Sequence, residues 1–179
     1  MPDGLKVGYL GLGTMGKPMA KNILKAGFAL RVYNRTPSKA EELLALGAEW
    51  ADSPATLAAA VDVVFTNVSD TPDVLEVVLG ENGILQGAHP GLILVDNSTI
   101  RPGGAQEVYQ KCAACGVSSL DAPVSGGEIG AQNGTLTIMV GGDEWAMQKV
   151  HPVLEVIGKK ITYIGGPGTG QIAKAANQI

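Results

Sequence analysis

Five short apolar runs alternate with helix-like stretches along the first two-thirds of the chain, and this alternation constrains the fold more than any other feature. The runs are Val7-Gly8-Tyr9-Leu10, Leu30-Arg31-Val32-Tyr33, Val61-Asp62-Val63-Val64-Phe65-Thr66, Leu92-Ile93-Leu94-Val95-Asp96 and Val117-Ser118-Ser119-Leu120. They are nearly continuous rather than alternating, as expected of strands covered on both faces of a parallel sheet. The segments between them open on Thr36-Pro37, Ser53-Pro54, Thr71-Pro72 and Arg101-Pro102, each putting proline near the first helical turn. Strand and helix in regular alternation predict a doubly wound α/β domain with right-handed crossovers.

Beyond Pro123 the pattern changes. Thr135–Val140 reads as a strand, Asp143–Ile157 as a helix and Lys160–Ile164 as a further strand, so the sheet is extended. Gly165–Gly170 then opens a helix that ends at Ile179 after barely two turns, with Ile172, Ala176 and Ile179 on an uncovered apolar face. The expectation is a cofactor domain over 1–165 followed by the start of an interdomain helix over 166–179, the chain being truncated before a C-terminal helical domain. In that state Lys174 is expected to be solvent-exposed on a fraying helix, and the apolar face to drive homo-oligomerisation.

Composition narrows the function classes. A chain of 179 residues with 45% hydrophobic and 17% charged residues is neither disordered nor too small for a core. Thirteen Lys+Arg against 17 Asp+Glu leave a net charge of −4 without a basic run, which argues against nucleic acid and anionic membranes as partners. No apolar run approaches the ~20 residues that span a bilayer, and Met1–Lys6 does not read as a secretion signal. With two cysteines there is no disulfide framework, and a cytoplasmic location is expected.

Glycine is the outlier, at 25 residues, and it is clustered. Gly11-Leu12-Gly13-Thr14-Met15-Gly16 is a G-x-G-x-x-G turn directly between the first strand and the first helix. Gly11 permits the tight turn, Gly13 lets backbone N–H groups approach a pyrophosphate, and Gly16 lets the helix pack close to the strand. The positive end of the helix then faces the phosphates. At this position in an alternating pattern the turn predicts a Rossmann-type dinucleotide site. About 20 residues on, where an NAD site offers a carboxylate to the ribose, the chain has Asn34-Arg35-Thr36. A guanidinium suits a 2′-phosphate, and no acid stands beside it in sequence to repel one, so the expected cofactor is NADP, with NAD as the alternative.

Three further clusters fall at strand C-termini, where ligands gather in open α/β sheets: Asn67-Val68-Ser69, Asn97-Ser98-Thr99 and Asp121-Ala122-Pro123-Val124-Ser125-Gly126-Gly127. The last offers a hydroxyl and consecutive flexible amides, either a nest for a carboxylate or a plain turn into the added strands. Downstream, Lys174 lies one helical turn from Asn177 and Gln178, where it reads either as a proton donor to a carbonyl oxygen or as a solvated charge.

Taken in order, Gly8–Asn22, Asn34-Arg35-Thr36, Asp121–Gly127, Gly134–Gly142 and the Gly168-x-Gly-Gln-x-x-Lys174 segment resemble the β-hydroxyacid dehydrogenases. That family includes 3-hydroxyisobutyrate dehydrogenase, tartronate semialdehyde (2-hydroxy-3-oxopropionate) reductase and the glyoxylate/succinic semialdehyde reductases. The likeness covers the whole chain and implies NAD(P)-dependent oxidation of an alcohol, or reduction of an aldehyde, next to a carboxylate. It implies Lys174 as general acid/base, Ser125, Gly126 and Gly127 as holders of the substrate carboxylate with Asn177 and Gln178 beside them, and Thr99 near the nicotinamide. Gly11–Gly16, Asn34–Thr36, Val68 and Ser69 complete the cofactor set. Lys174-x-x-Asn177-Gln178 is similar to the tartronate semialdehyde reductases, Asn34-Arg35-Thr36 to the glyoxylate/succinic semialdehyde branch, and the substrate stays open between them. The 6-phosphogluconate enzymes are disfavoured because their His-Asn pair after the lysine is missing.

Other chemistries find little support. Cys112-x-x-Cys115 has no second pair, His89 and His151 lack ligand spacing, and no metal is expected. The two cysteines read as buried small hydrophobes, and Asp96 as a strand-end hydrogen-bonding residue. Ser125 lacks a nucleophile elbow. A methyltransferase would carry an acid after the second strand. A non-catalytic NADP-binding or scaffold module is the competing class, since the fold proves no chemistry.

Overall fold

The computed structural model describes residues 4–179, so the Met1–Asp3 part of the secretion argument lies outside the described residues. The chain runs β1 (Lys6–Leu10), α1 (Gly16–Lys25), β2 (Ala29–Tyr33), a 3-10 turn (Pro37–Ala40), α2 (Glu41–Ala45), β3 (Glu49–Trp50), α3 (Pro54–Ala59), β4 (Val63–Thr66) and α4 (Thr71–Leu79). It continues through β5 (Ile93–Asp96), α5 (Pro102–Ala114), β6 (Ser118–Asp121), β7 (Val124–Ser125), α6 (Gly127–Asn133), β8 (Leu136–Gly142), α7 (Glu144–Ile157), β9 (Gly158–Gly165) and α8 (Thr169–Asn177). Strands β3-β2-β1-β4-β5-β6 are parallel and adjacent in that order. The order reverses between β1 and β4, which opens a crevice beyond their C-terminal ends. The added strands extend this sheet, with β8 antiparallel to β6 and β7 and parallel to β9. Leu120 opposes Gly142 and Ser125 opposes Thr137 in one register, so β7 prolongs β6 past the sheet edge.

Both faces of the sheet are covered, which explains the continuous apolar runs. On one face Val7, Tyr9, Phe65 and Val95 pack with Met19 and Ile23 of α1 and Val150 and Leu154 of α7. On the other, Leu10, Val64 and Leu94 meet Leu57 of α3, Val74 and Val78 of α4 and Val108 of α5. Burying each such Leu, Ile or Val stabilises by about 1.5–3 kcal/mol. The Tyr9 ring stacks on Phe65 with centroids 6.0 Å apart. No described helix is long and apolar enough to cross a membrane.

Two strands and one α-helix are absent from the sequence reading, as is the 3-10 turn Ile84–Gln86 between α4 and β5. Strands β3 and β7 have two residues each, too few for a periodic pattern, and α6 carries two glycines in seven residues. Helix starts also differ in detail: Ser53 caps α3 through the Thr56 amide, but Asp70 rather than Thr71 caps α4, accepting the Asp73 amide at 3.2 Å. The Thr71 hydroxyl instead accepts the Arg101 N–H and ties α4 to α5.

A polar row crosses the sheet at its C-terminal edge. Thr66, Asp96 and Asp121 end three neighbouring strands and stand opposite one another in register. Asp96 Oδ1 accepts the Thr66 hydroxyl at 2.9 Å and the Ser98 amide at 3.0 Å, while the buried Oδ2 has no partner among the described residues. Burial, with a smaller contribution from the Asp121 charge, pushes the Asp96 carboxyl up to about 6, against the pull of its bonds to Ser98 and Thr66. An acid ionising near 3.8 when unfolded and near 6 when folded stabilises the fold fully below about pH 4 and loses that contribution as pH rises through 6. Asp96→Asn is neutral throughout, so its stability relative to wild type should rise by up to ~3 kcal/mol between pH 4 and 7. Urea unfolding across that range measures it, and parallel stability curves would show that the folded Asp96 holds no extra proton.

Candidate active site

The glycine turn closes the end of β1 because three backbone segments meet there. Gly11 has φ 97°, and a Cβ on it would lie 2.1 Å from the Asn67 carbonyl oxygen. A Cβ on Gly16 would lie 1.9 Å from the Gly11 carbonyl oxygen. Neither position admits a side chain. At Gly13 a Cβ would meet nothing within 4 Å, so the fold itself does not require glycine there. The Leu12 amide donates to Asn34 Oδ1 at 2.8 Å, and Asn34 Nδ2 donates to the Thr36 carbonyl, so this carboxamide braces the turn from the end of β2. The Leu12 side chain is itself buried in the core.

A cavity of about 650 Å³ opens beyond this turn and is lined throughout by Gly11–Gly16, Asn34–Thr36, Val68 and Ser69, among others. The structure thus gathers almost the entire expected cofactor set into one crevice of a size suited to a small-molecule site. Thr99 is exposed and lies outside that cavity, on the loop after β5. One expectation is corrected. No acid neighbours Arg35 in sequence, but α4 brings Asp73 and Glu76 to it, each with a carboxylate oxygen 3.7 Å from the guanidinium. Both acids line the same cavity, and Arg35 remains 74% exposed. Asp73 lies in the first turn of the helix that follows Asn67–Ser69, and Glu76 three residues further along it.

The second cluster is organised by Asp121. Its Oδ1 accepts the Gly168 amide at 2.8 Å and its Oδ2 the Gln171 amide at 3.0 Å, so the last residue of β6 caps the first turn of α8. Burial nonetheless pushes its carboxyl above the ordinary aspartate range, against these amide bonds. A Cβ on Gly170 would lie 2.6 Å from the carbonyl oxygens of Asp121 and Met139, so α8 lies hard against the strand ends. Lys174 follows one turn later and is only 7% exposed. The expected exposed lysine on a fraying helix is therefore corrected: the cap and this close approach seat α8 without any further domain. Asn177 and Gln178 are exposed at its end, as are Ile172, Ala176 and Ile179.

Ser125 is half-buried in β7, and Gly126 and Gly127 are exposed, with φ 135° and 64°, where α6 begins. None of the three, nor Lys174, touches the cofactor cavity. The sequence reading assigned no part to two buried polar side chains that organise this edge: Asp121, quoted only within its motif, and Gln171, quoted only within the Gly168–Lys174 segment. Cys112 is buried, and burial pushes its thiol up to about 12, but Cys115 is exposed, contrary to expectation, because it lies past the last turn of α5. No group of three potential metal ligands occurs among the described residues.

The chain is 47% identical over 175 residues to the 2-hydroxy-3-oxopropionate reductase of Escherichia coli (strain K12), covering 98% of this chain and 60% of that protein. It superposes on Mycobacterium tuberculosis 3-hydroxyisobutyrate dehydrogenase with L-serine at a TM-score of 0.91 and 38% identity, over 97% of this chain and 58% of that one. It superposes likewise on Psf3 in complex with NADP+ and 2-OPP at 0.92 and 34% identity, over 96% and 61%. The chain thus spans about three-fifths of the length of these relatives. The family profile of the NAD binding domain of 6-phosphogluconate dehydrogenase matches residues 6–165. Glycine turn, strand order and profile agree that this chain belongs to that NAD(P)-binding domain family, which it shares with the β-hydroxyacid dehydrogenases.

Proposed function

We propose that the chain is the cofactor-binding part of an NADP-dependent oxidoreductase that interconverts a small β-hydroxyacid and its semialdehyde. The observation that carries this reading is the pairing, at one sheet edge, of an open dinucleotide crevice with a buried lysine on a helix locked to the same edge. The crevice fits the cofactor because Gly13 leaves free the space a pyrophosphate needs, while Gly11 and Gly16 are occupied by backbone. When bound, the nicotinamide supplies the hydride acceptor or donor. Lys174 takes the alcohol proton during oxidation and returns it to the carbonyl oxygen during reduction. Ser125, Gly126 and Gly127 hold the substrate carboxylate, Asn177 and Gln178 flank it, and Thr99 faces the nicotinamide. Relatives named 2-hydroxy-3-oxopropionate reductase and 3-hydroxyisobutyrate dehydrogenase support this substrate class. A cytoplasmic location is supported by the two cysteines being free, and self-association by exposed Ile164, Ile172 and Ile179 on β9 and α8.

Three variants test the parts. Gly13→Val should abolish NADPH binding and leave unfolding unchanged, because its side chain enters only the space the phosphates need; calorimetric titration beside a melting curve checks both, and normal binding would misplace the phosphate site. Arg35→Ala should weaken NADPH by ~1.5 kcal/mol, about tenfold, and NADH hardly at all. The low end of the range for a charge-assisted contact applies because Asp73 and Glu76 already share the guanidinium. Fluorescence titration with both cofactors decides it, equal losses counting against NADP. In the complete protein, Lys174→Ala should keep NADPH affinity and lower kcat for a semialdehyde by ~10²–10⁴; unchanged turnover would remove Lys174 from the chemistry.

A further inference from the structure

Gln171 is 2% exposed and makes three hydrogen bonds to residues outside its helix, two of them through its side chain. Its Nε2 donates to the Ser98 carbonyl at 2.8 Å, and its Oε1 accepts the Ile100 amide at 3.1 Å. These two backbone groups flank Thr99, which is left exposed between them. The bridge reaches further, since Ser98 Oγ accepts the Val68 amide at 2.9 Å, joining the loop after β4 to the loop after β5. On its other side the Gln171 backbone is held by Asp121, and Lys174 follows on the same helix.

We propose that Gln171 is the positioning residue of the site, its carboxamide setting the loop that presents Thr99 at a fixed distance from the helix that carries Lys174. The inference rests on Lys174 being the acid/base. A carboxamide is the group this bridge needs: one donor and one acceptor on a planar fork, without charge, in a place closed to water. A carboxylate could accept from Ile100 but would oppose the Ser98 carbonyl, and methionine, of similar length, would leave both backbone groups unpaired. The general acid must meet a reacting atom held by the opposite loop. A shift of about 1 Å between the two costs roughly 100-fold in rate without touching either ligand contact.

The test is a double-mutant cycle in the complete protein, with a semialdehyde and NADPH as substrates and NADPH affinity and thermal unfolding measured alongside. Gln171→Met should lower kcat roughly 10–100-fold while NADPH affinity stays within about twofold. In the Lys174→Ala background the same substitution should cost less than about threefold, because the group it positions is gone. Gln171→Glu supplies an independent readout: its activity relative to wild type should recover as pH falls and the carboxyl regains a proton to donate to Ser98. That variant also serves if Gln171→Met does not fold. Equal losses with and without Lys174, or unchanged kcat in Gln171→Met, would overturn the proposal. Full activity in Lys174→Ala would instead overturn the acid/base reading beneath it.

Discussion

At the end of β1 the chain passes within van der Waals contact of itself twice, and the rest of the crevice depends on those contacts. The Gly11 backbone lies against the Asn67 carbonyl, and α1 begins so close to Gly11 that Gly16 has no room for a Cβ. The first contact sets the turn against the loop after β4; the second sets the helix against the strand. Together they aim the N-terminal end of α1 into the opening where the strand order reverses, the one place on an open sheet where a bound phosphate meets helix N–H groups and no covering side chain. Asn34 then braces the turn from β2 through the Leu12 amide.

A second constraint acts at the other end of the same edge. Asp121 is a buried carboxylate whose oxygens are taken by the first turn of α8, so its charge is partly met by oriented amides and by the helix dipole. Next to it Asp96 has an oxygen with no donor among the described residues; burial pushes both carboxyls upward, and the Asp121 charge adds a smaller push at Asp96. The arrangement is electrostatically costly, but it seats α8, and with it Lys174, directly over the strand ends. The family profile ends at residue 165, before this helix, yet the helix belongs physically to the sheet it caps.

The electrostatic environment of Arg35 is set by residues distant from it in sequence. Asn34-Arg35-Thr36 contains no acid, but α4 enters the crevice from the neighbouring strand with Asp73 and Glu76 beside the guanidinium. These exposed pairs are weak, so Arg35 remains available to an anion, though it is not isolated.

Local chemistry with a short period was legible from the chain alone. Continuous apolar runs marked the central strands β1, β4 and β5, whose residues are buried almost throughout, proline at the first turn marked α3, α4 and α5, and the spacing of Gly11, Gly13 and Gly16 marked the phosphate turn, because each is a property of neighbours in sequence. The motifs around Ser125 and Lys174 marked a family for the same reason. What only the tertiary structure decided depends on residues far apart in the chain: that Lys174 is buried rather than solvated, that Asp121 caps a helix 47 residues away, that Gln171 bridges Ser98 and Ile100, and that Arg35 has acidic neighbours. Hydrogen bonds and charges act over a few ångströms of space, and a sequence shows such proximity only between residues close enough along the chain to share a turn.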